Sequence, residues 1–370
     1  MSNAPSIEPL RVAIVAQTNS HTRKYYQTLQ SDPRLHWVAA HAESSEIAAR
    51  FEAQGFGVPC YDTLDAMLAA HPELEAVILA SSNERHLEQV LWAAEHGLHM
   101  LSMKIPTFDP HEYDRMIEAV DAAGVICQVE LELHYNPVVH RVKQAVGTLG
   151  RLHAIQMTNT TLCPIWAFAW QGDPQRAYGR RHPLRDGESR CRGGALADHP
   201  HPFDMLRWLT GSDFAQLHAQ LAPNLRGDIE LEDMILVAGH MLDGTSFLID
   251  PSWSRMEERI DTPGPGWERF PKRMEVELAI VGEQATLLAD CFGPNIYHNG
   301  APNDRYTVHY TYFDEWVGLI DEFVRCVRTA SQPRINLRWH RRTIDVMNAC
   351  YESVEQGRPI DVTPTASGAD

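Results

Sequence analysis

The densest run of chemistry-bearing side chains is RGGALADHPHPFD, residues 192–204, which leads directly into the apolar MLRWL. Histidine exchanges protons near neutral pH, and a carboxylate beside it fixes its tautomer and raises its basicity. Asp198 and His201 therefore form a candidate proton relay. Asp and His are also metal-ligand types, but no second ligand set with recognisable spacing accompanies them, and no metal ligand is assigned. A helix N-terminus capped by Asp and His is the plain alternative. Lys104 offers a different chemistry. It follows the segment HMLS in Met103-Lys104-Ile105-Pro106, and an ammonium at a strand end can polarise an oxygen and stabilise the charge that develops on it. Two aromatic and basic stretches frame the His-rich cluster, PIWAFAW around Trp166 and RRHPLR ending at Arg185. Indole faces beside guanidinium donors suit a polyhydroxylated or carboxylated small molecule, and suit a subunit interface nearly as well.

Such residues need a scaffold that gathers strand ends, and the N-terminal third reads as one. Apolar strands are expected at 10–16 (LRVAIVA), 35–41 (LHWVAAH), 76–80 (AVILA), 99–102 and 125–129. Helical segments at 22–29, 45–54, 63–70, 85–96 and 111–123 fall between them. This alternation implies βαβ units and a parallel sheet. Ligands of such sheets bind at the carboxyl ends of the strands, so the turns there hold the candidates. Gln17, Thr18, Asn19 and Ser20 follow the first strand, Glu43 the second, Ser81, Asn83 and His86 the third, and Lys104 the fourth. A dinucleotide-binding turn carries three glycines, and this first turn has none. Its Thr, Asn and Ser side chains can still cap the next helix and leave amides for a phosphate. Glu43 is placed to accept from a ribose diol, and a carboxylate there repels a 2′-phosphate, which favours NAD over NADP.

Beyond Asn136-Pro137 and a helix at 138–146 the pattern lengthens, with alternating segments at 152–162, 234–242 and 245–253. These read as strands of a mostly antiparallel sheet with one polar face. Helices at 312–330 and 341–356 close the chain. The expected architecture is α/β. A Rossmann-type dinucleotide-binding domain spans residues 1–137, and an α+β domain for substrate binding and oligomerisation spans 138–370, with its last helices free to pack back on the first.

Lys and Arg number 32 against 49 Asp and Glu, a formal charge of −17, which repels nucleic-acid backbones and anionic lipid. Neither partner is expected. The N-terminus lacks the basic and apolar regions of a signal peptide, and no apolar run approaches the ~18 residues of a membrane span, so the expected location is the cytoplasm. Seven widely spread cysteines include no CxxC pair, which points to reduced, mostly buried thiols.

In their order along nearly the whole chain, these residues resemble the glucose–fructose oxidoreductase, inositol dehydrogenase and rhizopine-catabolism family of nicotinamide-dependent oxidoreductases. The landmarks are Ser81 to His86, His99 to Ile105, Tyr135-Asn136-Pro137, Gly193-Gly194 with Asp198, His201 and Asp204, Asp250 to Trp253, VELAIVGEQATLLAD (276–290) and ACYESVEQGRPI (349–360). The resemblance implies hydride transfer between NAD or NADP and a ring carbinol of a sugar, cyclitol or derivative. It casts Lys104 as orienting nicotinamide and substrate oxygen, and His201, with Asp198, as general acid/base. It places His134, where the family has Arg, and Asp204 with the substrate. It also implies a homodimer or homotetramer packed through the C-terminal sheet. Two alternatives stay open: a non-redox, metal-dependent sugar lyase or isomerase built on Asp198, His199 and His201, and an accessory subunit without catalysis.

Overall fold

The computed structural model describes residues 8–19, 21–163, 193–225, 231–255, 274–292, 295–299, 304–307 and 315–362. Ser20, Trp166 and Arg185 lie outside the described residues. The chain divides into two units. Unit 1 takes the described residues up to Glu130 together with Trp316–Trp339, and unit 2 takes the others.

Unit 1 is built on strands β1 (Leu10–Val15), β2 (Leu35–His41), β3 (Cys60–Tyr61), β4 (Ala76–Leu79), β5 (His99–Ser102) and β6 (Cys127–Val129). Helices α1 (Thr22–Ser31), α2 (Ser45–Glu52), α3 (Leu64–Ala70), α4 (His86–Glu95) and α5 (Pro110–Ala123) connect them. The strands lie in the order β3-β2-β1-β4-β5-β6, and every neighbouring pair is parallel. Val12 to Val15 and all of β4 are fully buried, as strands covered on both faces must be. Ser44, Thr63 and Asp109 cap α2, α3 and α5 through their side-chain oxygens. At the end of α5 the chain turns through Gly124 at φ 66°, a conformation that costs glycine nothing. The chain builds outward from β1 to β3 and then returns to β4 on the other side. That reversal opens a crevice at the carboxyl ends of β1 and β4.

Unit 2 begins with a 3₁₀ turn at Glu132–Tyr135 and helix α6 (Pro137–Val146), which Asn136 caps with Pro137 as its first residue. Its strands are β7 (Leu152–Thr161), β8 (Phe214–Leu221), β9 (Ile235–Met241), β10 (Ser246–Asp250), β11 (Met274–Gly282), β12 (Thr286–Asp290), β13 (Asn295–Asn299), β14 (Asp304–Thr307) and β15 (Ile360–Asp361). They form one sheet in the order β14-β13-β12-β11-β7-β10-β9-β8-β15. Only β7 and β10 pair in parallel. Their connection includes helices α7 (Ala195–Asp198) and α8 (His201–Thr210) as well as β8 and β9, the long crossover that parallel pairing requires. Ile155, Met157, Val237, Phe247, Ile249, Leu278, Ile280 and Leu287 line the buried face, and α8 lies against β7. Each such side chain contributes about 1.5–3 kcal/mol of burial. The opposite face exposes Leu236, Leu248, Val281 and Leu288. Helices α9 (Glu315–Thr329) and α10 (Leu337–Gln356) end the helical content. Most of α9 belongs to unit 1, where Leu319 O accepts from Gln128 Nε2.

Candidate active site

The first turn of unit 1 bends sharply without glycine. Ala16 and Gln17 both take left-handed backbone, at φ 70° and 63°, and side chains hold them there. The amide of Ala16 donates to His41 Nδ1 at 3.3 Å, Gln17 Nε2 donates to His41 O at 2.7 Å, and the Tyr26 hydroxyl donates to Gln17 Oε1. Burial, with Arg85 nearby, pulls His41 down to about 4, so the ring is neutral and Nδ1 can accept. The Gln17 amide donates to Val15 O, and those of Thr18 and Asn19 both reach Ala80 O, at 2.9 and 3.1 Å. Asn19 accepts from His21 N on its side chain and from Thr22 N on its carbonyl. Among the described residues, the amides of Ala16, Gln17, Thr18 and Asn19 are committed to acceptors within the protein.

The turns after β1, β2 and β4 are joined through side chains. Thr18 Oγ1 accepts from Ser82 N at 3.1 Å, and Asn19 Nδ2 donates to Ser81 O at 3.4 Å. Ser81 Oγ donates to Gln89 Oε1, and Gln89 Nε2 reaches Glu43 Oε1, which also accepts from Arg85. Burial raises the Glu43 carboxyl, with Arg85 opposing it. Gln17, Thr18, Asn19, Ser81 and Glu43 thus come together, and Asn83 opens the 3₁₀ turn before α4. Lys104 lies just past β5, half-buried, and its peptide bond to Ile105 is cis. His86 anchors that turn. Its Nδ1–H donates to Ile105 O and Pro106 O, each at 3.2 Å, and burial lowers it to about 4, which keeps the ring neutral.

In unit 2 the first turn of α8 carries His201, whose Nε2 is 3.4 Å from Glu132 Oε1. Asp204, one turn further along, is bonded to His134 Nε2, and both side chains are sealed from solvent. Burial alone would raise the Asp204 carboxyl, but His134, Arg207 and His340 outweigh it and hold it below the usual range. The pair ties α8 to the turn that carries Glu132. Asp198 Oδ2 accepts from Trp253 Nε1 at 3.0 Å and lies 3.6 Å from His199 Nε2. His199 in turn donates from Nδ1 to Pro251 O at 2.7 Å. Glu132 is thus a carboxylate beside His201, and Trp253 and His199 stand against Asp198.

The glycine just before α7, Gly194, is explained by close approach. A Cβ on Gly194 would stand 2.1 Å from Glu232 O. Buried Glu232 fixes this loop, accepting on Oε1 from Gly194 N and from the Tyr351 hydroxyl. Sequence reasoning missed Glu130, Glu132 and Glu232, and met Trp253 only as the end of a family landmark. The two carboxylates in VELELHY, just past β6, were the available signal for the first two. Among the described residues no group of three or more His, Cys, Asp or Glu is arranged to hold a metal ion, and no helix is long and apolar enough to cross a membrane.

Asp204 gives a direct test of the buried pair. Because its pKa is lower in the folded protein than in the unfolded chain, its contribution is present at neutral pH and lost as pH falls through the folded value. Asp204→Asn is expected to lower stability at pH 7 by about 1–3 kcal/mol. The gap from wild type should close in acid, as measured by urea denaturation across pH. A gap independent of pH would contradict the ionised pairing.

Comparison with known proteins gives a consistent result. The family model described as an oxidoreductase family with an NAD-binding Rossmann fold matches residues 10–131, and the GFO/IDH/MocA C-terminal domain model matches residues 139–288. Myo-inositol 2-dehydrogenase of Thermotoga maritima is 23% identical over 304 residues, 79% of this chain and 81% of that protein. An NADP(+)-dependent D-xylose 1-dehydrogenase of Haloferax volcanii is 22% identical over 88% of this chain and 92% of its own length. Among solved structures, an Agrobacterium radiobacter oxidoreductase in complex with NAD+, L-tartaric acid and magnesium superposes with a TM-score of 0.76 at 15% identity, covering 95% of this chain and 98% of that one. That similarity establishes the shared fold.

Proposed function

The chain belongs to the GFO/IDH/MocA family of oxidoreductases, and we propose that it is an NAD(P)-dependent dehydrogenase acting on a ring carbinol of a sugar, a cyclitol or a derivative. Relatives named as inositol and xylose dehydrogenases support that substrate class. The observation that carries the reading is the position of Lys104, at the crevice end of β5 in a sheet of dinucleotide-binding order, on a turn anchored by His86. Bound nicotinamide would supply the hydride acceptor or donor. Lys104 polarises the substrate oxygen and balances the charge developing on it. His201, beside Glu132, moves the hydroxyl proton, and Asp198 steadies the loop through Trp253 and His199.

On this reading residues 1–137 hold the dinucleotide, with Gln17, Thr18, Asn19, Ser20, Glu43, Ser81, Asn83, His86 and Lys104 around it. The donor set fits such a ligand through side chains, since the amides of Ala16, Gln17, Thr18 and Asn19 are committed. Glu43 disfavours a 2′-phosphate, so NAD binds more tightly than NADP. Residues 138–370 take the substrate, with Trp166, Arg185 and the His134–Asp204 pair contributing. The exposed apolar face of the unit 2 sheet packs against a second copy, giving a homodimer or homotetramer. The strongly acidic protein works in the cytoplasm and binds neither nucleic acid nor membrane.

The test is calorimetric titration of cofactor-stripped protein with NAD+, NADH, NADP+ and NADPH, with mass spectrometry for retained ligand, followed by a screen of sugars and cyclitols. Micromolar binding, NAD+ ahead of NADP+, and hydride transfer to one of these compounds are expected. No binding and no retained nicotinamide would overturn the reading.

A further inference from the structure

Two consecutive residues, Ala16 and Gln17, stand in left-handed backbone at φ 70° and 63°, and among the described residues Ala330 alone shares that conformation without being glycine. A Cβ disfavours it, so it persists where the surroundings enforce it. Three buried side chains do so here, Gln17, Tyr26 and His41. His41 Nδ1 accepts from the Ala16 amide at 3.3 Å. An amide only donates, so the ring is neutral and carries its proton on Nε2. Gln17 closes the bend from its own side, with Nε2 donating to the His41 carbonyl at 2.7 Å and Oε1 accepting from the Tyr26 hydroxyl. Tyr26 is packed against Trp37, Phe51 and Phe56, at centroid distances of 5.8, 5.7 and 4.9 Å.

The lock spans three elements. It ties the turn after β1 to the last residue of β2 and to the first half of α1. In sheets of this strand order the turn after β1 faces the pyrophosphate of a dinucleotide, and its first glycine makes the tight bend. Ala16 and Gln17 make that bend here with side chains attached. If the lock opens, both are free to leave left-handed backbone for the broader regions open to residues with a Cβ, and the fraction of molecules with a formed turn falls. A ligand that needs the formed turn then binds more weakly by that same fraction.

We propose that His41, supported by Gln17 and Tyr26, is a positioning residue for the dinucleotide, holding the glycine-free turn in its ligand-receiving shape. The inference rests on the proposed binding of a nicotinamide dinucleotide, and the experiment separates the two. NADH is titrated calorimetrically into cofactor-stripped wild type, His41→Leu, His41→Asn and the double variant His41→Leu/Ala16→Gly, each well below its melting temperature. His41→Leu fills the space without an acceptor and is expected to bind NADH about tenfold or more weakly. His41→Asn, whose Oδ1 stands in for Nδ1, is expected to stay within about threefold of wild type. Adding Ala16→Gly to His41→Leu is expected to restore at least about threefold of the loss, because glycine takes the left-handed bend unaided. A lower melting temperature in His41→Leu with unchanged affinity makes the lock purely structural and overturns the inference. So does a loss that His41→Asn shares in full, or one that Ala16→Gly leaves untouched. Each of these leaves the dehydrogenase reading intact, whereas absence of any binding by the wild type overturns both. If His41→Leu does not fold, Tyr26→Phe, which removes one hydroxyl and keeps the packed ring, is titrated instead. A several-fold loss, recovered by adding Gln17→Gly, is expected, and unchanged affinity overturns the inference.

Discussion

Replacing Lys104 by Met lowers turnover by about two to four orders of magnitude while the melting temperature stays near that of the wild type. The thioether keeps the length and apolar stem of the side chain, so the half-buried site remains filled. What disappears is the one positive charge supplied by the turn after β5, just where the proposed reaction builds negative charge on oxygen. A group needed mainly in the transition state lowers kcat and kcat/KM together, whereas one that only binds substrate raises KM. Steady-state kinetics with the sugar or cyclitol identified in the dehydrogenase screen distinguish the two. Turnover within a factor of about three of wild type would remove Lys104 from the chemistry. The anchor at His86 explains why the position is sensitive: a neutral imidazole bonded to two consecutive carbonyls fixes the backbone from which the ammonium projects.

His201→Ala produces a second loss of similar size, about a hundredfold or more, and Glu132→Gln a smaller one. His201 stands in the first turn of α8, and that helix is tied down by the sealed Asp204–His134 pair, so truncating the ring leaves the framework in place. Glu132 lies 3.4 Å from the imidazole. Converting it to the amide keeps a hydrogen-bonding partner there but removes the anion that steadies a transient imidazolium. The expected order of kcat is wild type, then Glu132→Gln, then His201→Ala. An unchanged rate in His201→Ala would assign the proton transfer to another group, and equal rates in wild type and Glu132→Gln would reduce Glu132 to packing.

The elements were legible because each is written locally. Buried β-branched runs such as LRVAIV and AVIL announce parallel strands, and the alternation in β7 and β9 announces a sheet with two unlike faces. Boundaries moved by a few residues: α3 starts at Leu64 because Thr63 is its cap, while α10 starts at Leu337, ahead of the expected 341, and β6 starts at Cys127, after the expected 125. Strand β3, two residues long, is too short to leave a periodic trace, and the parallel β7–β10 pairing is set by topology rather than by local pattern. For the proposed site, residue type and placement in a turn made Lys104 and His201 candidates. Partnerships were not legible. Trp253 reaches Asp198 across 55 positions, and Asp204 meets His134 across 70. Glu130 joins His21 across 109. Spacing along the chain carries no signal for such contacts, which exist only once strand order has brought distant turns together.

Neither unit is one continuous stretch of chain, and this bears on how the protein is made. The sheet of unit 1 is complete in sequence by Val129, but the segment holding Trp316 leaves the ribosome only about 185 residues later. At ordinary rates of synthesis that is roughly ten to forty seconds. Throughout that interval Tyr25 and His21 lack the indole that packs against them, and Gln128 lacks the Leu319 carbonyl it bonds. The nascent sheet must stay soluble with that flank uncovered, and a unit whose sheet precedes most of unit 2 in the chain is finished only after it.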